Sequence, residues 1–260
     1  MFFILLKVSL FMELKSLDSS LNAMMNSIFE NNIEKIQQNL IGSENQNKEA
    51  QLLLSQIESI IKAMGETWKE EHDVQGKLIT EQETVTFSDF ETFYAHVLPL
   101  FELIRARLYI KGSHQKIGVG TLVNVHNISE LVELKLRSQG FLTYYFGHSL
   151  TTKAIKKQVN HTPVNILVLS IMGVNDQLPG FEELKLIRQE YPELRIIVGG
   201  PAFPLFTLLK EGKDLEKLTN PYKTTEYTEA IKKSSTIEEF VKNVFDVEYI
   251  ENLDQLVTIL

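Results

Sequence analysis

Residues 117–147 read IGVGTLVNVHNISELVELKLRSQGFLTYYFG, which predicts a strand, a polar loop, a helix and a second strand in succession. The apolar run ends at Val123, the loop carries His126, and an amphipathic segment leads through Gly140 into the next β-rich run. In open parallel sheets, ligands bind just past the carboxyl ends of the strands. We therefore expect His126 to lie in a loop that could bind a ligand.

The alternation of apolar and amphipathic segments continues through the C-terminal half of the chain. Apolar runs predict strands at residues 117–123, 141–146, 166–172 and 196–198, and amphipathic stretches predict helices at residues 129–138, 152–159 and 181–190. Nearly continuous apolar strands separated by helices indicate a parallel sheet that is covered on both faces. Because crossovers between parallel strands are right-handed, we expect a doubly wound α/β domain of the flavodoxin-like or Rossmann-like kind.

The N-terminal half has a helical period instead. Helices are predicted at residues 17–31, 33–40, 47–69 and 87–109, and a helix bundle is the simplest arrangement for them. The polar segment KGSHQK at residues 111–116 has the composition of a linker. We therefore predict a helical bundle domain at residues 1–111 and an α/β domain at residues 112–260. A helical extension ends the second domain, with helices predicted at residues 208–218, 227–233 and 236–244 and a short apolar-faced tail at residues 252–260.

Composition argues against several classes of function. The net charge of −8 opposes nonspecific nucleic-acid binding, which needs a concentrated Lys/Arg surface, so we expect no direct contact with nucleic acid. The chain has no cysteine, which excludes a disulfide framework, a thiolate nucleophile and Cys-ligated zinc, and a cytoplasmic location is compatible with this. The sequence has neither a G-x-G-x-x-G motif nor a P-loop, so dinucleotide and NTP sites have no support.

The first twelve residues, MFFILLKVSLFM, are almost wholly apolar but too short to span a membrane. A signal peptide would have a basic region before the apolar one and a small-residue cleavage site after it, and neither is present. We expect this segment to pack on the body of the protein as a helix or strand, or to be an extension upstream of a start at Met12. Targeting is the less favoured alternative.

Polar and small residues lie at the ends of three predicted strands. They are Asn124, His126 and Ser129 after the first strand, Ser170 and Met172 at the end of the third, and Gly199 and Gly200 after the fourth. In a doubly wound sheet these positions share the carboxyl edge, where ligands bind. Glycines there permit a left-handed backbone or the close approach of a ligand, and Ser170 offers a hydroxyl at the same edge.

Three motifs in this order resemble the cobalamin-binding domain family. They are VNVHNIS at residues 123–129, SIM at residues 170–172 and VGGPAF at residues 198–203, where the family carries D/E-x-H-x-x-G, S-x-L and GG. The resemblance implies that His126 is the lower axial ligand of cobalt. It also implies that the displaced nucleotide tail of cobalamin enters a channel lined by Ser170, Gly199 and Gly200.

The chain departs from the family pattern at three positions. Asn124 stands where the family has a carboxylate, so the imidazole of His126 would lose an anionic partner that orients it and raises its basicity. Ser129 replaces a glycine that permits close approach of the tail, and its side chain could crowd the pocket or supply a hydrogen bond. Met172 in place of leucine nearly conserves volume and changes little.

The loop also has an interpretation without a ligand. Asn127 and Glu130 are spaced as a capping box for the helix that follows, and His126 would then merely precede the helix cap. A lone histidine in a loop usually has such an ordinary role. The occurrence of three motifs in order, behind a helical domain, favours the cobalamin-binding fold.

The helical half resembles the cap that covers the upper face of the corrin in cobalamin-dependent photoreceptor regulators and corrinoid methyl-carrier proteins. Trp68, the only tryptophan, matches the tryptophan of that cap. Glu83 matches its glutamate only if residues are inserted after Trp68, and Thr84 then replaces the histidine. The resemblance implies that Trp68 and Glu83 contact the cofactor from above.

These resemblances imply a photoreceptor-like sensor or regulator, not itself an enzyme, that holds adenosylcobalamin or methylcobalamin between the bundle and the sheet. His126 would lie below cobalt and Trp68 above it. The chain has no recognisable DNA-binding segment, so we expect its output to be a protein partner or self-association. Three alternatives remain: a corrinoid methyl carrier of a methyltransferase system, which Asn124 disfavours; a cofactor-free interaction scaffold; and haem or another tetrapyrrole bound through the same histidine.

Overall fold

The computed structural model describes residues 44–71, 87–108, 115–123, 128–171, 177–200, 203 and 224–260. The chain divides into two compact units, Met1–Tyr109 and Ile110–Leu260, and each is described by itself. The helices predicted at residues 17–31, 33–40 and 208–218 lie outside the described residues. Within the described ranges, no helix is both long enough and apolar enough to cross a membrane.

In the first unit two helices pack against each other, α1 at Glu44–Glu71 and α2 at Phe87–Arg107. Compared with the predicted ranges, α1 is longer at both ends and α2 ends slightly earlier. The apolar faces are buried as the helical period predicts. Residues at most 1% exposed on the two helices are Leu54, Ile57, Ile60, Met64, Phe93, Val97, Phe101 and Ile104.

The second unit contains a five-stranded parallel sheet with the strand order β2-β1-β3-β4-β5. This confirms the predicted α/β fold with a doubly wound parallel sheet. The elements in chain order are β1 Lys116–Leu122, α3 Ile128–Ser138, β2 Leu142–Leu150, α4 Thr152–His161, β3 Ile166–Ser170, α5 Gln177–Glu190, β4 Arg195–Gly199, α6 Thr224–Lys233, α7 Ile237–Phe245, β5 Glu248–Tyr249 and α8 Leu253–Ile259.

Helices cover the sheet on both faces, which explains why its strands are nearly continuous apolar runs. On one face, α3 and α8 pack on the strands through Leu136 and Leu256. On the opposite face, α4, α5 and α7 pack on the strands through Ile155, Leu184 and Phe240. The two cores therefore lie on either side of one sheet.

One strand is longer than predicted, and another was not predicted. β2 continues to Leu150, beyond the predicted end at residue 146, and shifts its register against β1 twice on the way. Gly147 and Ser149 have left-handed φ values of 102° and 52°, which accommodate this irregular backbone. β5 consists only of Glu248 and Tyr249 and is too short to give a periodic pattern in the sequence.

Arg195 ties together β4, β5 and the end of α8. Its Nε and Nη2 atoms donate hydrogen bonds of 2.7 Å to the two carboxylate oxygens of Glu248, and Nη2 also donates to the carbonyl oxygen of Ile259 at 3.2 Å. The hydrogen bond from Arg195 holds the pKa of the Glu248 carboxyl below its usual range. The edge of the sheet is thus fixed by a bidentate ion pair.

An aromatic cluster anchors the segment that follows β4. Phe181 of α5 lies 5.7 Å from Phe203, 5.3 Å from Tyr227 and 5.0 Å from Phe245, measured between ring centroids. Phe203 also meets the ring of Tyr249 in an edge-on arrangement at 5.0 Å. Because Phe203 is only 1% exposed, it anchors the chain just after the glycine pair at the end of β4.

Candidate functional site

The carboxyl ends of β1 and β3 form the switch point of the sheet. The helix after β1, α3, packs on one face through Leu136, whereas the helix after β3, α5, packs on the other face through Leu184. Where neighbouring strands send their connections to opposite faces, a crevice opens at the carboxyl ends and ligands bind there. Thr121 of β1 and Ser170 of β3 are partners in the strand register at this point.

Ser170 and Gly200 lie side by side at this edge. A Cβ atom on Gly200 would be 2.8 Å from the Oγ of Ser170 and 2.5 Å from the carbonyl oxygen of Ile171. Gly200 also has a φ of 113°, which favours glycine. The fold therefore brings together the serine of the second motif and the second glycine of the third motif, as partly exposed neighbours.

Gly199 has a role within the sheet. A Cβ atom on this buried residue would be 2.9 Å from the carbonyl oxygen of Ile250, the residue after β5. The amide of Ile250 donates to the carbonyl oxygen of Val198 at 2.9 Å, which holds the two segments at this distance. The absent side chain at position 199 thus allows the end of β5 to pack closely on β4.

The hydroxyl of Ser129 faces the sheet. Ser129 is 1% exposed, and its Oγ accepts a hydrogen bond of 2.8 Å from the Oγ1 of Thr121, which is fully buried. The hydrogen bond of Ser129 is thus made within the protein, and its predicted contact with a cofactor stays a prediction. This bond connects the end of β1 to the first turn of α3.

Val123 has a strained backbone at the point where the loop after β1 begins. Its φ is 64°, in the left-handed region that a β-branched residue rarely adopts. Its amide donates a hydrogen bond of 3.2 Å to the carbonyl oxygen of Leu150, at the end of β2. The sequence did not predict this left-handed backbone, because β-branched residues ordinarily indicate extended backbone.

A buried polar cluster that the sequence analysis missed lies farther along α3. Glu133, which is fully buried, accepts hydrogen bonds from the Oγ1 of Thr143 at 2.6 Å and from the Nε of Arg137 at 2.8 Å. The Nη2 of Arg137 donates to the carbonyl oxygen of Thr143 at 2.8 Å. The spacing of Ser129, Glu133 and Arg137 at every fourth position is the signal that could have revealed a polar stripe facing the sheet.

Several predicted site residues lie outside the described part of the chain. They are Glu83, Asn124, His126 and Met172, together with the side chain of Trp68, whose backbone belongs to α1. Their roles stay predictions. Within the described ranges, no group of three or more His, Asp or Glu side chains is arranged to hold a metal ion.

No protein-family model matches the sequence, and no curated protein matches it either. Solved structures do resemble the fold. A cobalamin-binding protein from Desulfitobacterium hafniense is 15% identical, with a TM-score of 0.40 over 92% of this chain and 96% of that one. A monomethylamine corrinoid protein from Methanosarcina barkeri is 11% identical, with a TM-score of 0.46 over 94% and 96% of the two chains.

A third similar structure is the methanol:cobalamin methyltransferase complex from Methanosarcina barkeri, at 12% identity and a TM-score of 0.44 over 93% of this chain and 78% of that one. These three similar structures are thus of cobalamin-binding or corrinoid proteins.

Proposed function

We propose that this chain binds cobalamin at the carboxyl edge of its sheet and acts as a sensor or regulatory protein. The observation that carries the proposal is the contact between Ser170 and Gly200 at the carboxyl ends of β3 and β4, beside the switch point. Two of the three motifs that resemble the cobalamin-binding domain meet in that contact. The first motif, VNVHNIS, begins at the end of β1, the strand next to β3. The fold and the motifs therefore both favour the carboxyl edge of the sheet as the binding site.

The described residues at this edge fit the tail of a cobalamin. Ser170 and Gly200 are both partly exposed, so this part of the edge can be reached from solvent. A hydroxyl both donates and accepts hydrogen bonds, and a glycine backbone allows a ligand to approach closely. A larger residue at position 200 would fill the space beside the Ser170 hydroxyl.

His126 and Asn124 are the residues proposed to hold the lower side of the cofactor. The imidazole of His126 would be the axial ligand, and the amide oxygen of Asn124 would accept a hydrogen bond from the other ring nitrogen, which fixes the tautomer. A neutral amide raises the basicity of the imidazole less than a carboxylate does. When bound, cobalamin would supply a cobalt centre whose upper ligand can be lost or exchanged.

Asn124 favours a sensor over a methyl carrier. In the carriers that the chain resembles, an Asp–His pair manages protonation, and an amide side chain cannot take up that proton. We therefore propose a regulatory role without catalysis of its own. The output would be a protein partner or self-association.

Visible spectroscopy after gel filtration tests the proposal. The purified protein is mixed with adenosylcobalamin, methylcobalamin or hydroxocobalamin, and separately with haem, and its spectrum is recorded in the dark and after green light. We expect a retained cobalamin spectrum that changes in the His126→Ala variant. His161→Ala, which removes an exposed histidine at the end of α4, is the matched control and should leave the spectrum unchanged.

Each part of the proposal has its own contrary outcome. A protein that retains no cobalamin is not a cobalamin sensor, and retention of haem alone would favour the other tetrapyrrole. A cobalamin spectrum that is unchanged in His126→Ala would remove only the axial-ligand assignment. A light-dependent change of elution volume supports a sensor, whereas methyl transfer to a partner enzyme would favour a carrier.

A further inference from the structure

Helix α3 meets the sheet through Ser129, Glu133 and Arg137, which we term the α3 stripe. Residues four positions apart lie above one another on a helix, so the three side chains share one face. That face meets a threonine on each of two strands, Thr121 on β1 and Thr143 on β2. Hydrogen bonds therefore link α3 to both strands from within the protein interior.

The α3 stripe is poorly suited to adding stability. Glu133 and the two threonines are 0% exposed, so their polar groups have lost their contact with water. Loss of hydration offsets the attraction within a buried ion pair, and apolar residues of similar volume often stabilise a protein as well or better. The hydrogen bonds of Glu133 with Thr143 and Arg137 thus need an explanation other than the free energy of folding.

Directionality supplies that explanation. Hydrogen bonds need a narrow range of distance and angle, whereas apolar cores tolerate repacking and lose a unique arrangement before they lose stability. Contacts at Ser129 and at Glu133 fix both the rotation of α3 about its axis and its position along the strands. A purely apolar face would fix these two coordinates less tightly.

The rotation and position of α3 matter for the carboxyl edge of the sheet, where we propose that cobalamin binds. The helix begins at Ile128, directly after the segment that carries His126, and β1 ends just before that segment. The hydrogen bond between Thr121 and Ser129 joins residues eight positions apart, across that segment. The two ends of the segment are therefore held at a fixed separation by the protein itself.

We infer that the α3 stripe is a positioning device that holds the start of α3 in one register against the carboxyl end of β1, with Glu133 as its central positioning residue. Its consequence for the ligand rests on the proposed function, because a fixed helix start would hold the proposed cobalt ligand in one place. In the ligand-free protein the α3 stripe has an effect that does not depend on cobalamin: it keeps α3 in a single register on β1 and β2.

A triple variant tests this inference without leaving a charge unpaired. Glu133→Met, Arg137→Met and Thr143→Val together replace the polar cluster with apolar groups of similar size. We expect the melting temperature to be unchanged or higher. In the ligand-free protein, amide hydrogen exchange in α3 should be about tenfold faster. Cobalamin release should also be about tenfold faster. Thr121→Val, which removes the donor to Ser129 with little change of shape, should shift exchange and release in the same direction.

The control is a polar pair that links two helices at the surface. Lys156 of α4 and Glu190 of α5 form an exposed ion pair, and replacing both by methionine should alter neither exchange in α3 nor cobalamin release. A lower melting temperature with exchange accelerated equally across the whole unit would make the stripe a stabilising element and overturn the inference. Unchanged exchange in α3 would overturn it too. If the parent protein retains no cobalamin, the proposed function fails, while hydrogen exchange still decides the inference.

Discussion

The hydroxyl oxygen of Ser170 lies beside Gly200 so closely that a Cβ atom on the glycine would be 2.8 Å from it. The same Cβ atom would be 2.5 Å from the backbone oxygen of Ile171, which cannot rotate away. Gly200 in addition has a φ of 113°. Two independent constraints therefore require glycine here, one from its own backbone and one from the end of the neighbouring strand.

Replacing Gly200 by alanine should destabilise the protein more than the same change at Gly140. Gly140 has a comparable φ of 93°, but a Cβ atom there would meet nothing within 4 Å. Gly140→Ala should therefore cost only the backbone strain, about 1–3 kcal/mol of the free energy of unfolding. Gly200→Ala should cost measurably more, because β3 and β4 must also move apart. Denaturant unfolding of both variants checks this, and equal losses would contradict the clash.

At Val123, glycine should be better tolerated than alanine. Both substitutions remove the half-buried valine side chain, but only glycine relieves the left-handed φ of 64°. Val123→Gly should therefore be more stable than Val123→Ala by about 1 kcal/mol, which reverses the usual order of the two residues. Thermal or urea unfolding measures the difference. A less stable glycine variant would show that Val123 carries no such strain.

Changing Asn124 to aspartate should strengthen the proposed attachment of cobalamin. The carboxylate would be a stronger acceptor for the imidazole N–H of His126 and would raise the basicity of the ring, an effect typically worth about 10–100-fold in metal affinity. Cobalamin release followed by visible spectroscopy should slow accordingly. Asn160→Asp, which adds the same charge on the exposed side of α4, is the control. A release rate that does not change would argue that Asn124 does not contact the ligating histidine.

The ion pair of Arg195 and Glu248 should make stability depend on pH in the acid range. The pKa of Glu248 is lowered in the folded protein, so the pair contributes fully above the ordinary glutamate pKa of about 4.3 and its contribution is lost as pH falls through the lower folded value. The Glu248 side chain is 45% exposed, so we expect less than about 1 kcal/mol.

Glu248→Gln tests this dependence. Subtracting its unfolding free energy from that of the parent at a series of pH values should give a difference that is constant near neutrality and shrinks below about pH 4.3. Glu193→Gln removes a carboxylate from an exposed turn and controls for the change of net charge. A difference that grows in acid would mean that folding raises the pKa of Glu248 instead of lowering it.

The sheet could be predicted because its strands are buried on both faces and so appear as apolar runs. β3, for example, begins at the predicted residue, Ile166. The contact between Ser170 and Gly200 could not be predicted, although both residues were selected, because strand order is a long-range property. The tight packing of Gly199 on Ile250 was equally hidden, since β5 is only two residues long.

The contacts of the α3 side chains could not be predicted either, for a different reason. The helix was predicted as an ordinary amphipathic element, in which charged residues face solvent. Glu133 violates that rule, and only its spacing from Ser129 and Arg137 hints at a shared face. Val123 is a second exception, because its left-handed backbone accompanies a hydrogen bond to Leu150 on another strand. Local patterns do not contain such information.

The aromatic cluster brings together residues that are synthesised at different times. Phe203 follows the glycine pair in sequence, yet one of the rings that enclose it belongs to Tyr249, close to the C-terminal end of the chain. During synthesis, Phe203 is therefore made after one of its ring partners, Phe181, but before the other, Tyr249. The packing around Phe203, just past the carboxyl end of β4, is therefore complete only after Tyr249 has been synthesised.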